Sequence, residues 1–483
     1  MYPVYLDDPY PDFEGLRVYY PILELTTVFK PTPAYSPRIL EVERQFSIGE
    51  IAEAFTVFKD FRLHFNDGDA TYITRKSTLL KAFKNLYGSE ALDLNEVKPY
   101  DEEVLAGSIG DDLNEALYLL NNVGLGEAWL FIRRYGELSD GQKYRYRLAK
   151  AIYMAKKLGV KALICDEYCS TLDRITAKVV AYLTQKLCRR FGLTLIVATA
   201  HEDLLEDLNP NILIIKPFQK PPTVKHFKVE PKQCSLMDEV CIEEGSFKDF
   251  IELEVYHYKG FRPAFPIKVF RAVYNGRTVG AIVYSMSYLC CKARRSVFGS
   301  HLKEMAKQKE ILRISRAVVD PRVRGIGLGS RLVRETLERT GAKIVETIAA
   351  MAVYNPFFEK AGMRLGHVYT GNEKIMREYL SAVEKFGFDR NRIHSFSYLK
   401  KTIDGMPAEK LREFEMELGK VTITRSISKL FTSRDLLKKG EYVKDRLPAY
   451  LMQFATLFCR SYYYYWINPA YMGELKPLRD ARG

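Results

Sequence analysis

The sequence predicts an α/β fold that is divided among several domains. At roughly 100–200 residues per domain, a chain of 483 residues should hold about three domains. Short apolar runs, such as ALIC at 162–165 and LTLIVA at 193–198, alternate with longer amphipathic stretches. Runs of this length are typical of buried parallel strands, and the amphipathic stretches are typical of helices that cover a sheet.

The composition restricts the class of protein. Hydrophobic residues make up 47% of the chain and charged residues 28%, a balance that excludes a largely disordered protein. The net charge of +13 favours an anionic partner, such as nucleic acid, a nucleotide or an anionic membrane surface. None of the eight cysteines forms a C-x-x-C pair, so we expect reduced, mostly buried thiols. Because neither a signal-peptide pattern nor a long apolar run occurs, we expect a cytoplasmic protein with no membrane partner.

The order of strand and helix patterns predicts five segments. The proline-rich stretch KPFQKPP at 216–222 cannot continue a helix or a central strand, and it indicates a linker. A strand, turn and strand precede it at 61–74, and strands alternate with helices after it. The predicted segments are an N-terminal extension of strands or an extended arm (1–45), an α/β domain (46–217), a linker (218–227), a second, mixed α/β domain (228–370) and a basic, mostly helical C-terminal region (371–483).

The first group of candidate site residues begins with LSDGQ at 138–142, which opens a predicted helix. Glycine and short residues at a helix start leave backbone N–H groups free to bind a phosphate. The apolar strand at 162–165 ends in Asp166 and Glu167. One of these carboxylates can hold Mg²⁺ and the other can polarise an attacking water. The segments STLD at 170–173 and ATAH at 198–201 complete the group.

In this order and near this spacing, the four segments resemble the signature motif, Walker B motif, D-loop and switch histidine of the ABC-superfamily ATPase domain. The resemblance implies an ABC-type, P-loop-like fold that binds ATP and Mg²⁺, with Glu167 and His201 as catalytic residues. It also implies a homodimer through this domain, because in the family one chain's signature completes the other chain's phosphate site. The residues assigned to ATP are Lys76, Ser77, Thr78, Ser139, Gly141, Gln142 and Asp173, and those assigned to Mg²⁺ are Ser77 and Asp166.

The segment in the position of the phosphate loop departs from that family. A Walker A motif reads G-x-x-x-x-G-K-[ST], and its glycines let backbone amides surround the phosphates. Here the predicted strand at 70–74 is followed by RKST at 75–78, without the glycines, and no glutamine lies between Lys76 and the signature. Lys76 can still bind phosphate as a point charge, and Ser77 can still ligate Mg²⁺. We therefore expect weak nucleotide binding, with slow or no hydrolysis.

A glycine-containing loop supplies the second group of candidate residues. The predicted strand at 311–319 runs into DPRVRGIGLGS at 320–330, and a predicted helix follows at 331–340. Glycines between a strand and a helix let the backbone approach a pyrophosphate. A dinucleotide-binding Rossmann site requires G-x-G-x-x-G, and the third glycine of that pattern is missing here.

The strand, this loop and the helix look like motif A of the GNAT acetyltransferases, and YNPFFEKAGM at 354–363 is similar to that family's closing element. The resemblance implies a GNAT fold and direct acetyl transfer from acetyl-CoA to a bound amine. A phosphate-binding loop for another nucleotide is the alternative. The residues assigned to acetyl-CoA are Val318, Val319, Arg324, Gly325, Gly327, Gly329 and Ser330.

Two residues are candidates for the proton transfers of this reaction. Many family members use a tyrosine as the acid, but Phe358 occupies that position here. Tyr354, one helical turn earlier, is the candidate substitute, and a packing residue is the alternative. Glu346 is the candidate general base, and a solvated strand carboxylate is the alternative.

Together, the two groups resemble an archaeal-type fusion of a predicted ABC ATPase with an acetyltransferase, which implies an N-acetyltransferase. One hypothesis makes the acceptor a nucleic-acid base in tRNA or DNA, because the net charge, the basic C-terminal region and the aromatic run YYYYW at 462–466 suit phosphate contact and base stacking. The alternative for the aromatic run is a helix or strand that packs on the catalytic domain. A second makes the acceptor a protein, aminoacyl or polyamine amine. A third is a non-catalytic dimer that senses a nucleotide or CoA.

Overall fold

The structure is a computed structural model that forms two compact units, Met1–Ser285 with Ser315–Thr336, and Met286–Ile314 with Leu337–Gly483. The predicted linker at 218–227 therefore does not separate the two units. No helix among the described residues is long and apolar enough to cross a bilayer. The described residues are 22–29, 35–48, 55–74, 77–217, 220–257, 262–370, 373–421, 447–449, 451–452, 460–475 and 477–478.

Strands and helices alternate through most of the described chain. The strands are β1 (Ile22–Phe29), β2 (Phe55–His64), β3 (Ala70–Thr74), β4 (Ala91–Asp93), β5 (Ala162–Cys165), β6 (Thr194–Thr199), β7 (Ile212–Ile215), β8 (Thr223–His226), β9 (Cys241–Glu244), β10 (Pro266–Tyr274), β11 (Arg277–Met286), β12 (Ile311–Val319), β13 (Ile344–Ala349), β14 (Arg364–Tyr369) and β15 (Ser461–Ile467). The helices are α1 (Pro37–Phe46), α2 (Ser77–Tyr87), α3 (Leu113–Asn121), α4 (Ala128–Phe131), α5 (Asp140–Leu158), α6 (Arg174–Arg190), α7 (Leu205–Leu208), α8 (Phe247–Leu253), α9 (Lys292–Phe298), α10 (Lys303–Lys307), α11 (Leu328–Leu337), α12 (Phe357–Lys360), α13 (Glu373–Lys385), α14 (Phe396–Asp404) and α15 (Ala408–Lys420).

A six-stranded sheet in the first unit has the strand order β4-β5-β6-β3-β7-β8. Strands β3 to β7 run parallel and β8 is antiparallel. Every residue of β3, β5 and β6 is buried, because these apolar runs are covered on both faces. The prediction of buried parallel strands is confirmed for β5 and β6, and the strand predicted at 70–74 is β3.

The N-terminal extension contains both a strand and a helix. Strand β1 pairs antiparallel with β2, which agrees with the predicted strands. Helix α1 was not predicted, because strands or an extended arm were expected throughout residues 1–45. The helix begins where Ser36 Oγ accepts a hydrogen bond from the Ile39 N–H at 3.2 Å, with Pro37 at the first helical position. A serine cap followed by proline is a helix-start signal. Residues 1–21 lie outside the described residues.

Strand β12 belongs to both units. In the first unit the strand order is β12-β11-β10-β9, and in the second it is β12-β13-β15-β14. The aromatic run at 462–466 lies in β15, which pairs antiparallel with β13 and with β14. The described part of the C-terminal segment contains helices α13 to α15, which share one apolar core, and strand β15, which fits the alternative that the aromatic run is a packing strand. Aromatic residues favour strands when they fit a buried, pleated surface.

The cysteines of the described chain are all free, and five of these seven are buried, in agreement with the expectation of reduced thiols. Burial raises the pKa of Cys169 and of Cys188 to about 12. These thiols are therefore poor nucleophiles at neutral pH. Cys459 lies outside the described residues.

Candidate functional site

The carboxyl ends of three neighbouring strands form the first candidate site. Strand β6 lies between β5 and β3, and all three run parallel. Residues that follow parallel strands lie along one edge of the sheet, where α/β folds bind ligands. This edge carries Asp166 and Glu167 after β5, His201 after β6, and Ser77 at the start of α2.

The predicted phosphate-loop segment falls between two elements of the fold. Strand β3 ends at Thr74 and helix α2 begins at Ser77, and residues 75–76 lie outside the described residues. Lys76 lies outside the described residues, and the side chain of Thr78 is half-buried in the first turn of α2. Within the described part of the chain, no group of three or more His, Cys, Asp or Glu side chains is placed to hold a metal ion.

The two predicted catalytic residues of this edge have distinct settings. Glu167 is exposed and has a φ of 51°, and its N–H donates to Asp166 Oδ1 at 3.0 Å. A non-glycine residue in this conformation costs about 1–3 kcal/mol, and such residues cluster at active sites. The His201 N–H donates to Thr199 Oγ1 at 3.2 Å, and its carbonyl accepts a hydrogen bond from the Tyr72 hydroxyl. The Glu167 carboxylate is therefore accessible, and the backbone of His201 is fixed at the end of β6.

Helix α5 begins at the predicted signature segment. The Ser139 Oγ accepts from the Gln142 N–H at 3.4 Å, and Gln142 Oε1 accepts from the Ser139 N–H at 3.1 Å, so these side chains form a capping box. A Cβ on Gly141 would lie 3.2 Å from Leu172 Cδ2, and the glycine therefore allows the segment to approach the predicted D-loop. Asp173, the last residue of that loop, is the N-cap of α6.

The loop before α11 forms the second candidate site. Gly325 and Gly327 have φ values of 87° and 100°, which glycine adopts without strain. A Cβ on Gly325 would lie 2.8 Å from Leu183 Cδ1, whereas a Cβ on exposed Gly327 would meet no atom within 4 Å. Packing therefore requires Gly325, and Gly327 leaves open space beside α11. Gly329 and Ser330 lie in the first turn of α11, where the helix dipole favours an anion.

The Arg324 side chain holds this loop in place. Its Nε donates to Val319 O at 2.8 Å, its Nη1 to Gly126 O at 3.0 Å and its Nη2 to Tyr256 O at 3.1 Å. The predicted contact of this residue with acetyl-CoA does not fit a guanidinium that is already bound to three carbonyls. The side chain is a structural anchor for the loop.

The backbone pairing of β12 with β13 is brief. Residues 311–313 pair in parallel with residues 344–346, and the next contact is a hydrogen bond of 3.0 Å from Thr347 Oγ1 to Ile314 O. Strand β12 continues through buried Val318 to half-buried Val319. The backbone pairing of β12 with β13 therefore ends at Arg313, several residues before Val318 and Val319, which were predicted to bind acetyl-CoA.

Tyr354 and Phe358 differ in their surroundings. Phe358 is 5% exposed and packs against Tyr464, with ring centroids 5.8 Å apart. Tyr354 is half-buried, and its N–H donates to Met351 O at 3.1 Å. Phe358 is thus a packing residue, and Tyr354 is the residue of the two that carries a titratable hydroxyl.

Glu346 lies in a buried ion pair and does not fit the role of general base. Its side chain is 3% exposed and that of Arg294 is 0% exposed. The Arg294 Nε donates to Oε2 at 3.0 Å and Nη2 donates to Oε1 at 2.9 Å. Tyr463 donates to Oε2 at 2.7 Å, and Ser287 donates to Oε1. Each carboxylate oxygen therefore accepts two hydrogen bonds and is closed to solvent, which contradicts the predicted contact with an attacking amine.

Part of the chain is similar in sequence to curated ATP-binding proteins. Over 132 residues, 27% of the chain, it is 32% identical to the methionine import ATP-binding protein MetN of Clostridium tetani. Over 100 residues it is 37% identical to the protein of the same name from Rhodospirillum rubrum. The chain spans 37% and 26% of the lengths of these two relatives. The chain contains an ABC ATPase-like module.

Solved structures of ABC cassettes also match the chain. The CbiO1 protein of Clostridium perfringens, part of an ABC transporter complex, matches 37% of this chain and 85% of its own, with 17% identity and a TM-score of 0.29. A dimeric bacterial ABC transporter cassette matches 38% of this chain and 95% of its own, with 14% identity and a TM-score of 0.30. No protein-family model matches the chain.

Two residues that the sequence did not single out, Arg145 and Arg294, bind candidate residues. Arg145 lies one helical turn after Gly141 in the ABC ATPase-like module, a spacing that places it on the same face of α5 as the signature. Arg294 and Tyr463 bind Glu346, which lies between them in the sequence. No sequence pattern connects these two residues to Glu346, because the contacts are long-range.

Proposed function

We propose that this protein is an acetyl-CoA-dependent N-acetyltransferase whose ABC ATPase-like module binds Mg-ATP and pairs two copies of the chain. The observation that carries the proposal is the loop before α11, where the exposed residue Gly327 has a positive φ and open space in place of a Cβ. A loop of this form lets a pyrophosphate approach the backbone N–H groups and the start of the helix.

The residues of the chain contribute mainly positioning and electrostatic stabilisation. Acetyl-CoA supplies a thioester whose carbonyl carbon is attacked by the acceptor nitrogen, so that a C–N bond forms and the C–S bond breaks. A backbone N–H at the end of β12 stabilises the oxyanion, and the binding site orients the amine. The Tyr354 hydroxyl returns a proton to the departing thiolate. Water accepts the proton that the acceptor nitrogen loses as the C–N bond forms, because Glu346 is enclosed by its ion pair.

The charge of the chain bears on the identity of the acceptor. The net charge of +13 favours a polyanionic acceptor, and we propose an amine on a tRNA or DNA base. The aromatic run does not support this acceptor as the sequence suggested, because Tyr463, Tyr464 and Tyr465 are buried within the sheet. Base stacking requires exposed rings.

The reaction is tested by measuring release of the CoA thiol with tRNA, DNA, spermidine or a peptide amine as acceptor. Thiol release that requires a nucleic acid supports the proposed acceptor, whereas release with spermidine or peptide alone replaces it. Tyr354→Phe is expected to lower kcat by about 10²–10⁴-fold, the usual contribution of a general acid, with an unchanged Kd for acetyl-CoA. Tyr398→Phe, which removes a hydroxyl bound to the Asp389 N–H, is the matched control. An unchanged kcat in Tyr354→Phe would exclude Tyr354 as the acid.

Nucleotide binding by the ABC ATPase-like module is tested at Lys76. Hydrogen bonds to charged groups are worth about 1.5–3 kcal/mol, so Lys76→Ala is expected to weaken Mg-ATP binding by about 10–100-fold. Titration calorimetry measures the change, and Lys81→Ala, an exposed lysine on α2, is the matched control. Equal affinities of the Lys76→Ala variant and the unmodified protein would remove Lys76 from the ATP site.

A further inference from the structure

A loop in the first unit is held from two sides by arginine side chains. This loop, residues 122–126, follows α3, and we refer to it as the 122–126 loop. On one side, Arg145 of α5 donates from Nη1 to Gly124 O at 2.7 Å and from Nε to Gly141 O at 3.1 Å. One guanidinium therefore joins the 122–126 loop to the signature segment.

On the other side, Arg324 joins the same loop to the second candidate site. Its Nη1 donates to Gly126 O, while its Nε donates to Val319 O at the end of β12. The two carbonyls that the arginines contact on the loop, those of Gly124 and Gly126, are only two residues apart. Arg145 therefore links Gly141 to Gly124, the backbone of the loop links Gly124 to Gly126, and Gly126 is hydrogen-bonded to Arg324.

The packing around these bonds is close enough to transmit a displacement. A Cβ on Gly126 would lie 2.6 Å from Asn121 Oδ1, and a Cβ on Gly124 would lie 3.3 Å from Arg145 Nη1. On the far side, Gly325 packs against Leu183 of α6. Residues 321–323 also pack against α6, the helix that Asp173 of the predicted D-loop caps. Close-packed elements of this kind move between discrete arrangements rather than deforming continuously.

The guanidinium group suits a coupling role for a geometric reason. Its donors are held in a rigid planar fork, so a shift of one bound carbonyl reorients the bond to the other. Burial lowers the pKa of both Arg145 and Arg324 below the ordinary arginine value, because a partly desolvated guanidinium holds its charge less favourably. Loss of one of these bonds would therefore leave a poorly solvated charge.

We infer that the 122–126 loop couples the two candidate sites, so that nucleotide bound at the signature segment tightens acetyl-CoA binding at the loop before α11. The inference rests on the proposed function. A nucleotide contact that fixes the start of α5 favours one arrangement of Arg145, of the 122–126 loop and of Arg324. Acetyl-CoA then binds to a loop that is already ordered, which removes part of the cost of binding.

The test measures the Kd for acetyl-CoA by calorimetry, without nucleotide and with saturating Mg-AMP-PNP. Coupling between sites is typically about 5–150-fold, and we expect the nucleotide to lower the Kd by at least about fivefold. Because coupling is reciprocal, acetyl-CoA must lower the Kd for Mg-AMP-PNP by the same factor.

Arg145→Lys replaces the guanidinium that bonds both Gly124 and Gly141, and it leaves the sequence of the loop before α11 unchanged. We expect this variant to bind acetyl-CoA alone as the unmodified protein does, and to reduce the coupling factor to below about 2, since lysine offers a single point charge. Arg189→Lys is the matched control. Arg189 is also on a helix of the first unit, donates to the Asn209 carbonyl at 2.6 Å, and has a pKa lowered by burial. This control should keep the full coupling factor.

A second variant, Arg324→Lys, tests the other end of the connection and should also reduce the coupling factor. If Arg324→Lys abolishes acetyl-CoA binding, its coupling factor cannot be measured, and the result for Arg145→Lys decides whether the two sites are coupled. A coupling factor of 1 in the unmodified protein, or full coupling in Arg145→Lys, would overturn the inference and leave the proposed function intact. No binding of Mg-AMP-PNP would overturn the inference together with the proposed binding of Mg-ATP, but not the proposed acetyl transfer. Absence of acetyl-CoA binding without nucleotide would instead contradict the proposed function itself.

Discussion

Replacing Gly327 with glutamate is expected to raise the Kd for acetyl-CoA by about 100-fold or more, equivalent to about 2.7 kcal/mol. The exposed backbone at Gly327 is open, because a Cβ would meet no atom within 4 Å. A glutamate there would place a side chain and a negative charge where the proposed pyrophosphate approaches. The expected loss combines the blocked N–H contacts with repulsion between like charges. Titration calorimetry with acetyl-CoA measures the effect.

The control for this variant is Gly341→Glu. Gly341 has a φ of 72°, and a Cβ there would also meet no atom within 4 Å. It follows α11 in the sequence instead of preceding it, so the substitution adds the same charge at another glycine with a positive φ. Acetyl-CoA binding should be unchanged in Gly341→Glu. If Gly327→Glu binds acetyl-CoA as tightly as the control does, the loop before α11 is not the site.

Replacing Arg294 with methionine is expected to destabilise the second unit by about 3–5 kcal/mol, because it leaves the carboxylate of Glu346 buried without its partner. Arg294 and Glu346 are among the most buried ionic groups of the described chain, and two hydrogen bonds join them directly. Urea unfolding followed by a spectroscopic signal from the second unit measures the loss.

The double variant Arg294→Met with Glu346→Leu should recover much of this stability, since it removes both charges together. Lys307→Met breaks an exposed ion pair with Glu304 in the same unit and should cost less than about 1 kcal/mol. If Arg294→Met were no more destabilising than Lys307→Met, the ion pair would contribute little to the fold, and the objection to Glu346 as a base would weaken.

Features that arise from local sequence were predictable. The apolar runs of β5 and β6 have the length and composition of buried parallel strands, and the structure places strands there. The order of the motifs in the ABC ATPase-like module was also readable, because glycine, carboxylates and histidine follow individual strands and helix starts. Helix α1 was missed although Ser36 and Pro37 form a recognisable helix start.

Features that depend on distant contacts were not predictable. Arg324 belongs to the glycine loop in sequence, so it was assigned to the cofactor, but its side chain binds the carbonyl of Gly126. Glu346 was assigned as a base because its predicted strand was expected to face the acetyl-transfer cleft, and its partner Arg294 lies 52 positions earlier. In both cases the polar side chain is satisfied by a group that no sequence pattern associates with it.

The position of β15 has a consequence for how the protein is made. This strand, at residues 461–467, lies between β13 and β14, although residues 370–460 separate it from β14 in the chain. During synthesis, β13 and β14 leave the ribosome before β15 does. The edges of β13 and β14 that pair with β15 stay unpaired until β15 is made. Pairing over such a separation is slow to form, and exposed strand edges associate readily. The growing chain therefore exposes these strand edges to association until β15 is added.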